Sequence, residues 1–185
     1  MYRNLVLSGG AFKATAFIGC IRYLEEKGIC NDIINIIGSS AGAIVALLLG
    51  VGFNSREMED FIIKELQKFQ DHEIDLENVL DIFYTLGIDN GESHVQVFQR
   101  ILLFKGYDPE ITFLNLIKAT GKNIVICGSN LTTASVEYFS VDSSPNMKVI
   151  DAIRISISIP LLITPVEYNN SLYFYASLFD IFQTG

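Results

Sequence analysis

Cysteine, histidine and basic side chains are all scarce in this chain. Among 185 residues there are three cysteines and two histidines, with 13 Lys and Arg set against 21 Asp and Glu. Cys20, Cys30 and Cys127 are odd in number, scattered and without C-x-x-C spacing, which excludes a disulfide framework and a zinc site. They fit thiols kept in a reducing compartment. His72 and His94 stand in no metal-ligand spacing and read as solvated or capping side chains. The net charge of −8 weighs against nucleic acid and against electrostatic capture by anionic lipid. Any membrane contact is then expected to be hydrophobic and transient. No Asp-rich loop has calcium-ligand spacing, so neither a metal nor a cofactor is expected. The longest apolar stretch, residues 41–53, is too short to span a bilayer. No charged, cleavable leader precedes Arg3, so the expected location is intracellular, cytoplasmic or peripheral to membranes. Repeats, low-complexity tracts and linkers are absent. A chain of this size, 50% hydrophobic, suits one domain over residues 1–185 and buries roughly 70% of its unfolded surface.

What is present centres on residues 33–52, IINIIGSSAGAIVALLLGVG. An apolar run enters Gly38-Ser39-Ser40-Ala41-Gly42, and a helix-forming run follows at once. The pattern predicts a buried strand, a very tight turn and a helix that starts on the turn. Such a turn forces its apex residue, Ser40, into a sparsely allowed backbone conformation. The flanking glycines remove the Cβ atoms that would collide. The helix N-terminus adds unpaired N–H groups and a partial positive charge. Ser40 is therefore the candidate nucleophile, although G-x-S-x-G alone also fits a mere packing joint.

A second unit of the same kind lies upstream. Residues 4–8 predict a short strand that ends in Gly9-Gly10-Ala11, and Phe17, Ile21 and Leu24 then recur at helical spacing up to a stop at Gly28. The Gly9, Gly10 and Ala11 turn offers backbone N–H groups for a developing oxyanion. A dinucleotide or P-loop reading fails there, because neither motif is spelled out. Two such units put both turns at the same end of adjacent parallel strands, where open α/β sheets bind ligands.

Further along, residues 55–69 predict an amphipathic helix capped by Ser55. Helices are also expected over 76–86, 95–103 and 112–120, the last capped by Thr112 and stopped by Gly121. Strands are expected over 123–131 and 136–141. A short helix over 149–156 carries Asp151 and Arg154, read as a local ion pair. Residues 166–168 and 172–175 flank Asn169-Asn170, a good hairpin turn. A Ser-His-Asp hydrolase is disfavoured, because only one strand precedes the Ser40 unit and neither histidine lies near the C-terminus. A dyad in which a carboxylate takes the serine proton directly is the option left.

These residues carry a resemblance. The Gly9-Gly10 loop with Lys13, the Gly38 to Gly42 elbow, Ile111-Thr112-Phe113, the strand Ile126-Cys127-Gly128-Ser129-Asn130-Leu131 and the stretch from Asp151 to Pro160 together resemble the patatin-like phospholipases, over nearly the whole chain. The resemblance implies an α/β fold, a three-layer α/β/α sandwich with a central, mostly parallel sheet. It also implies descent from lipid acyl hydrolases that use a Ser–Asp dyad without histidine, acting on phospholipid or other lipid esters.

Two departures stand out. Ala11 and Ala14 replace glycines of the family's oxyanion loop. Aligning residues 171–174 with the family's hairpin strand puts Tyr175 on the position of the catalytic aspartate. A tyrosine phenol titrates near ~10 against ~3.9 for aspartate, so it does not serve as a resting base at neutral pH. Asp180 lies further on, at a place that is usually structural. The stop at Gly185, close behind this motif, raises the expectation of a C-terminal truncation. Two functions compete on these grounds. One is a serine acyl hydrolase of phospholipase A or lipase type, with Ser40 as nucleophile. The other is a catalytically degenerate relative that binds lipid or a protein partner.

Overall fold

The computed structural model describes residues 2–10, 15–70, 91–159 and 163–175. In chain order these form β1 (Asn4–Leu7), α1 (Thr15–Glu26), a 3-10 turn (Ile29–Asp32), β2 (Asn35–Gly38), α2 (Ala41–Gly50) and α3 (Ser55–Gln70). There follow α4 (Glu92–Phe104), α5 (Phe113–Thr120), β3 (Asn123–Asn130), β4 (Ser135–Phe139), α6 (Val149–Ser156), β5 (Val166–Tyr168) and β6 (Ser171–Phe174). The helix expected over 76–86 lies outside the described residues, as do His72, Ala11, Lys13, Ala14 and Asp180.

The strands make one mixed sheet in the order β1-β2-β3-β6-β5, with β4 also paired to β3. β1, β2 and β3 are parallel, in a register that aligns Leu5, Ile36 and Ile124 in one row and Leu7, Gly38 and Ile126 in another. Side chains alternate across a sheet, so both rows face one side. There Leu7, Ile36, Ile124 and Ile126 are buried against α2 and α6. The contact is close: a Cβ on Gly50 of α2 would run into Ile124, and one on Gly128 of β3 would stand 2.6 Å from Ile155 of α6. Eight of the ten residues of α2 are buried. That explains its apolar run, since a helix apolar on all sides belongs inside. The opposite row holds Val6, Ile37 and Val125, of which Val6 is 71% exposed.

At their starting ends the three parallel strands carry aligned asparagines. Asn123 Nδ2 donates to Asn35 Oδ1 at 3.1 Å, and Asn35 Nδ2 donates to Asn4 Oδ1 at 2.7 Å. At their finishing ends the parallel register sets Leu7 beside Gly38, and the two glycine turns stand side by side as expected. Strand β3 then continues past its neighbours. Ile126 pairs with Gly38 of β2 and with Phe139 of β4, so those two strands lie on opposite flanks. Ser129 and Asn130 pair with β4 and with β6, which puts β6 on the flank of β2, just beyond its end.

Local signals mostly hold. Thr112 Oγ1 accepts the Asn115 N–H at the start of α5, and Gly121 closes that helix at φ 69. Asn169 and Asn170 both adopt positive φ, 48 and 59, in the β5–β6 hairpin. That pair of left-handed residues matches the twist of the flanking strands. Other expectations need correction. Ser55 does not cap α3: it is the first helical residue, and its N–H and hydroxyl both donate to Glu25. Asn54 is the cap, in a reciprocal box where Asn54 Oδ1 accepts the Glu57 N–H and Glu57 accepts the Asn54 N–H, both at 2.9 Å. His94, expected to be solvated or capping, is buried in the first turn of α4, which removes the solvated alternative. Among the described residues no helix is long and apolar enough to cross a membrane.

Two predictions follow from this packing. A Cβ on Gly42 would be driven into the carbonyl of Leu7 and would lie 2.7 Å from Ser8 O. Overpacking of this kind costs about 1–3 kcal/mol, and here the obstacle is backbone. Urea unfolding of Gly42→Ala should show at least that loss, whereas Gly19→Ala, which meets nothing within 4 Å, should not. The second concerns acid. Lys105, whose Nζ lies 2.8 Å from Glu57, and the Asn54 N–H hold the Glu57 carboxyl below its ordinary value. A depressed carboxylate contributes stability that is present above the ordinary glutamate range and lost as pH falls through the folded value. The Tm of the unaltered protein should therefore fall more steeply than that of Glu57→Gln on acidification from about pH 5 to about pH 3, near and below the ~4.3 of a free glutamate.

Candidate functional site

Ser40 stands where β2 turns into α2, with φ 56 and ψ −126. A non-glycine residue in that region is strained by about 1–3 kcal/mol and persists only when its surroundings hold it. Here they do. The Ser39 N–H donates to Leu7 O at 3.1 Å, and the Gly42 and Ala43 N–H groups close back onto Ser39 O and Ser40 O. The Ser40 N–H donates to Ser156 Oγ at 2.9 Å. Glycine is required on either side: a Cβ on Gly38 would stand 2.5 Å from Gly42 O and 2.7 Å from the Ala43 Cα. The turn thus lifts the Ser40 side chain off the end of the sheet. Its hydroxyl does not cap α2, although α2 begins at Ala41 directly behind it. Ser40 is 8% exposed, which keeps most water from the hydroxyl.

The first glycine turn faces it. A Cβ built on Gly9 would lie 3.1 Å from Ser40 Cβ and 3.6 Å from Ser40 Oγ, so glycine lets the β1 turn approach this closely without displacing Ser40. Gly9 and Gly10 are half-buried beside the elbow, while Ala11 lies outside the described residues. The same point beside Gly9 is 3.1 Å from Tyr175 Oη. Ser40, Gly9 and the Tyr175 phenol therefore meet at one place. Topology explains why: β6 runs antiparallel to β3 beyond the end of β2, and its next residue, Tyr175, arrives over the elbow. The Tyr175 N–H donates to Ser158 O at 2.9 Å, which fixes that arrival.

The end of α6 holds both halves together, and pattern reading did not assign it this role. Ser156 takes the amide of Ser40, and Ser158 takes the amide of Tyr175. Arg154, buried at 7% exposure, braces this segment. Its Nη1 donates to Ser158 Oγ at 2.5 Å, and its Nη2 reaches Thr164 O at 3.1 Å and Thr164 Oγ1 at 3.3 Å. A Cβ on Gly91 would collide with the guanidinium, so the start of α4 is shaped around it. The expected Asp151–Arg154 ion pair is thereby corrected, because the guanidinium is directed along the chain toward Ser158 and Thr164. Burial instead pushes the Asp151 carboxyl above its usual value, with Lys148 opposing. The alternating serines of Ser156-Ile157-Ser158 were the one visible sign of this segment's role.

No disulfide joins Cys20, Cys30 and Cys127, and burial pushes the Cys30 thiol up, away from reactivity. Among the described residues no group of three His, Cys, Asp or Glu side chains could hold a metal ion.

Comparison with known proteins bears on this arrangement. Residues 5–180 match the family model described as patatin-like phospholipase. The chain is 28% identical over 179 residues to the probable lipid hydrolase 463L of Invertebrate iridescent virus 6, covering 93% of this chain and 58% of that protein. It is 31% identical over 180 residues to the uncharacterized protein R571 of Acanthamoeba polyphaga mimivirus, covering 92% and 56%. The chain thus spans somewhat over half the length of these relatives. Among solved structures, VipD from Legionella pneumophila superposes with a TM-score of 0.68 at 19% identity, over 97% of this chain and 46% of that one. A chain of the ExoU–SpcU complex from Pseudomonas aeruginosa superposes with a TM-score of 0.53 at 22% identity, over 86% and 39%. These likenesses speak for the same α/β fold. With the model matched across nearly its whole length and the two glycine turns facing one another, this chain belongs to the patatin-like phospholipase family.

Proposed function

We propose that the chain carries a lipid acyl-hydrolase site, of phospholipase A or lipase type, that cleaves carboxylic esters through Ser40. The observation that carries this reading is the strained apex of Ser40, φ 56 and ψ −126, held at the head of α2 against the Gly9 turn. Strain of this kind is kept where a hydroxyl must be presented to a substrate. Ser40 Oγ attacks the ester carbonyl. N–H groups of the Gly9, Gly10 and Ala11 turn receive the developing oxyanion, supported by the partial positive charge at the α2 N-terminus. The family, together with the relative described as a probable lipid hydrolase, supports lipid esters as the substrate class. With a net charge of −8, approach to a lipid surface rests on apolar contact and not on attraction to anionic headgroups. Three thiols with no disulfide among them fit work inside the cell, in the cytoplasm or at a membrane surface.

A second reading is favoured by one observation: among the described residues, the side chain that reaches the Gly9 turn beside Ser40 is the phenol of Tyr175. Loss of the partner of a serine nucleophile typically lowers the rate on the order of 10⁴-fold. The site would then bind lipid, or a protein partner, without turnover.

Labelling separates the two. A fluorophosphonate ester should modify the unaltered protein at Ser40, located by peptide mass spectrometry, and should leave Ser40→Ala unmodified. Fatty-acid release from phosphatidylcholine vesicles should be lost in the same variant. Fatty-acid binding that persists in Ser40→Ala, with neither labelling nor release in the unaltered protein, would instead establish the binding role.

A further inference from the structure

A Cβ built on Gly9 would stand 3.1 Å from both Ser40 Cβ and Tyr175 Oη and 3.6 Å from Ser40 Oγ, so the phenol oxygen and the serine hydroxyl close on the same point beside the Gly9 backbone. The other polar side chains at the end of α6 are already committed. Ser156 Oγ accepts the Ser40 amide. Ser158 Oγ accepts from Arg154 Nη1 and donates to Arg154 O at 2.7 Å. Tyr175 directly follows β6, and its N–H is tied to Ser158 O, so its backbone is held at this place. A phenol is both donor and acceptor through one oxygen. An atom that gives one proton while taking another need never be ionised at rest.

We propose that Tyr175 is a catalytic residue whose neutral phenol relays protons at Ser40. This rests on the reading of Ser40 as the nucleophile. In acylation, Ser40 Oγ bonds to the acyl carbon and its proton passes to Tyr175 Oη in the same step in which Oη gives up the proton it already carries. That proton passes to the leaving alkoxide as the C–O bond to the alcohol breaks. Tyr175 is neutral before and after. In deacylation a water oxygen bonds to the acyl carbon, a water proton passes to Oη, and the Oη proton returns to Ser40 Oγ as the acyl–Oγ bond breaks. Ester and water become alcohol and carboxylic acid, with no other reactant. The relay removes the difficulty that a phenol is a poor resting base, because no phenolate is called for.

The test is turnover of a short-chain chromogenic ester by the full-length protein and by Tyr175→Phe, Tyr175→Asp and Ser40→Ala, with folding followed by thermal melts. A positioned proton carrier contributes about 10²–10⁴-fold, so Tyr175→Phe should lose at least about 10²-fold in kcat with KM little changed. Tyr175→Asp should keep turnover but acquire an acid limb near the ~3.9 of a carboxylate, absent from the unaltered protein. If Tyr175→Phe matches the unaltered protein while Ser40→Ala is inert, the relay is overturned and the Ser40 reading stands. If only Tyr175→Asp is active, the phenol blocks the site and the relay is equally overturned. Turnover that survives Ser40→Ala refutes the nucleophile itself, and the relay with it. Should Tyr175→Phe fail to fold, a proton inventory of kcat for the unaltered protein in mixtures of H2O and D2O decides. A curved plot, two protons moving in one step, supports the relay, and a straight one overturns it.

Discussion

The hydrogen bond from the Ser40 amide to Ser156 Oγ joins a strained residue to the buried end of α6, and much of the site depends on it. A non-glycine residue at φ 56 has no local reason to stay there. Its own helix tethers it from one side through the Ala43 N–H, and the end of β1 tethers its neighbour Ser39 from the other. Ser156 supplies the third restraint, from an element far away in sequence. Such a conformation holds only when several parts of the structure agree on it. The agreement here is between β1, α2 and α6.

The end of α6 also reaches forward. Two residues beyond Ser156, the Ser158 carbonyl fixes Tyr175, and the Arg154 guanidinium stiffens the intervening chain by holding Ser158 Oγ and the Thr164 carbonyl. Ser40 and the Tyr175 phenol are therefore not positioned independently. A disturbance at Arg154 moves both, although Arg154 touches neither in the described contacts. The buried guanidinium is tolerable because hydroxyl and carbonyl oxygens replace its water. Gly91 gives it room at the start of α4, so even the helix that enters from outside the described residues is fitted to this brace.

Much of this was legible in the sequence, for a physical reason. The two strand–glycine–helix units are local patterns, and the parallel register then fixes the relation between them. Thr112, Gly121 and the Asn169-Asn170 turn are local as well, and each does what its chemistry suggests. The failures involve longer range. Ser55 looked like a cap, but its hydroxyl is taken by Glu25 on α1, a partner that no window around Ser55 contains. His94 falls on the face of α4 that packs inward. Asp151 and Arg154 are neighbours on one helix, yet the guanidinium is claimed by a chain segment that follows the helix. Alignment to a family motif put Tyr175 at a chemical position, but only the pairing of β6 with β3, beyond the end of β2, brings its oxygen to the Gly9 turn.

The three asparagines at the far end of the parallel strands act as a spirit level for this site. One amide donates to the next along the row, Asn123 to Asn35 and Asn35 to Asn4, and the spacing works only when the three strands start at the same height. A slip of β2 by one residue would break the row and also turn Ile36 away from the core, since strand faces alternate. The strands here are short, so height at one end is height at the other. Levelling Asn4 with Asn35 levels Leu7 with Gly38, and therefore sets how far the serine turn rises above its neighbour. Side chains that touch nothing chemical thus gauge the gap in which Ser40 faces Gly9.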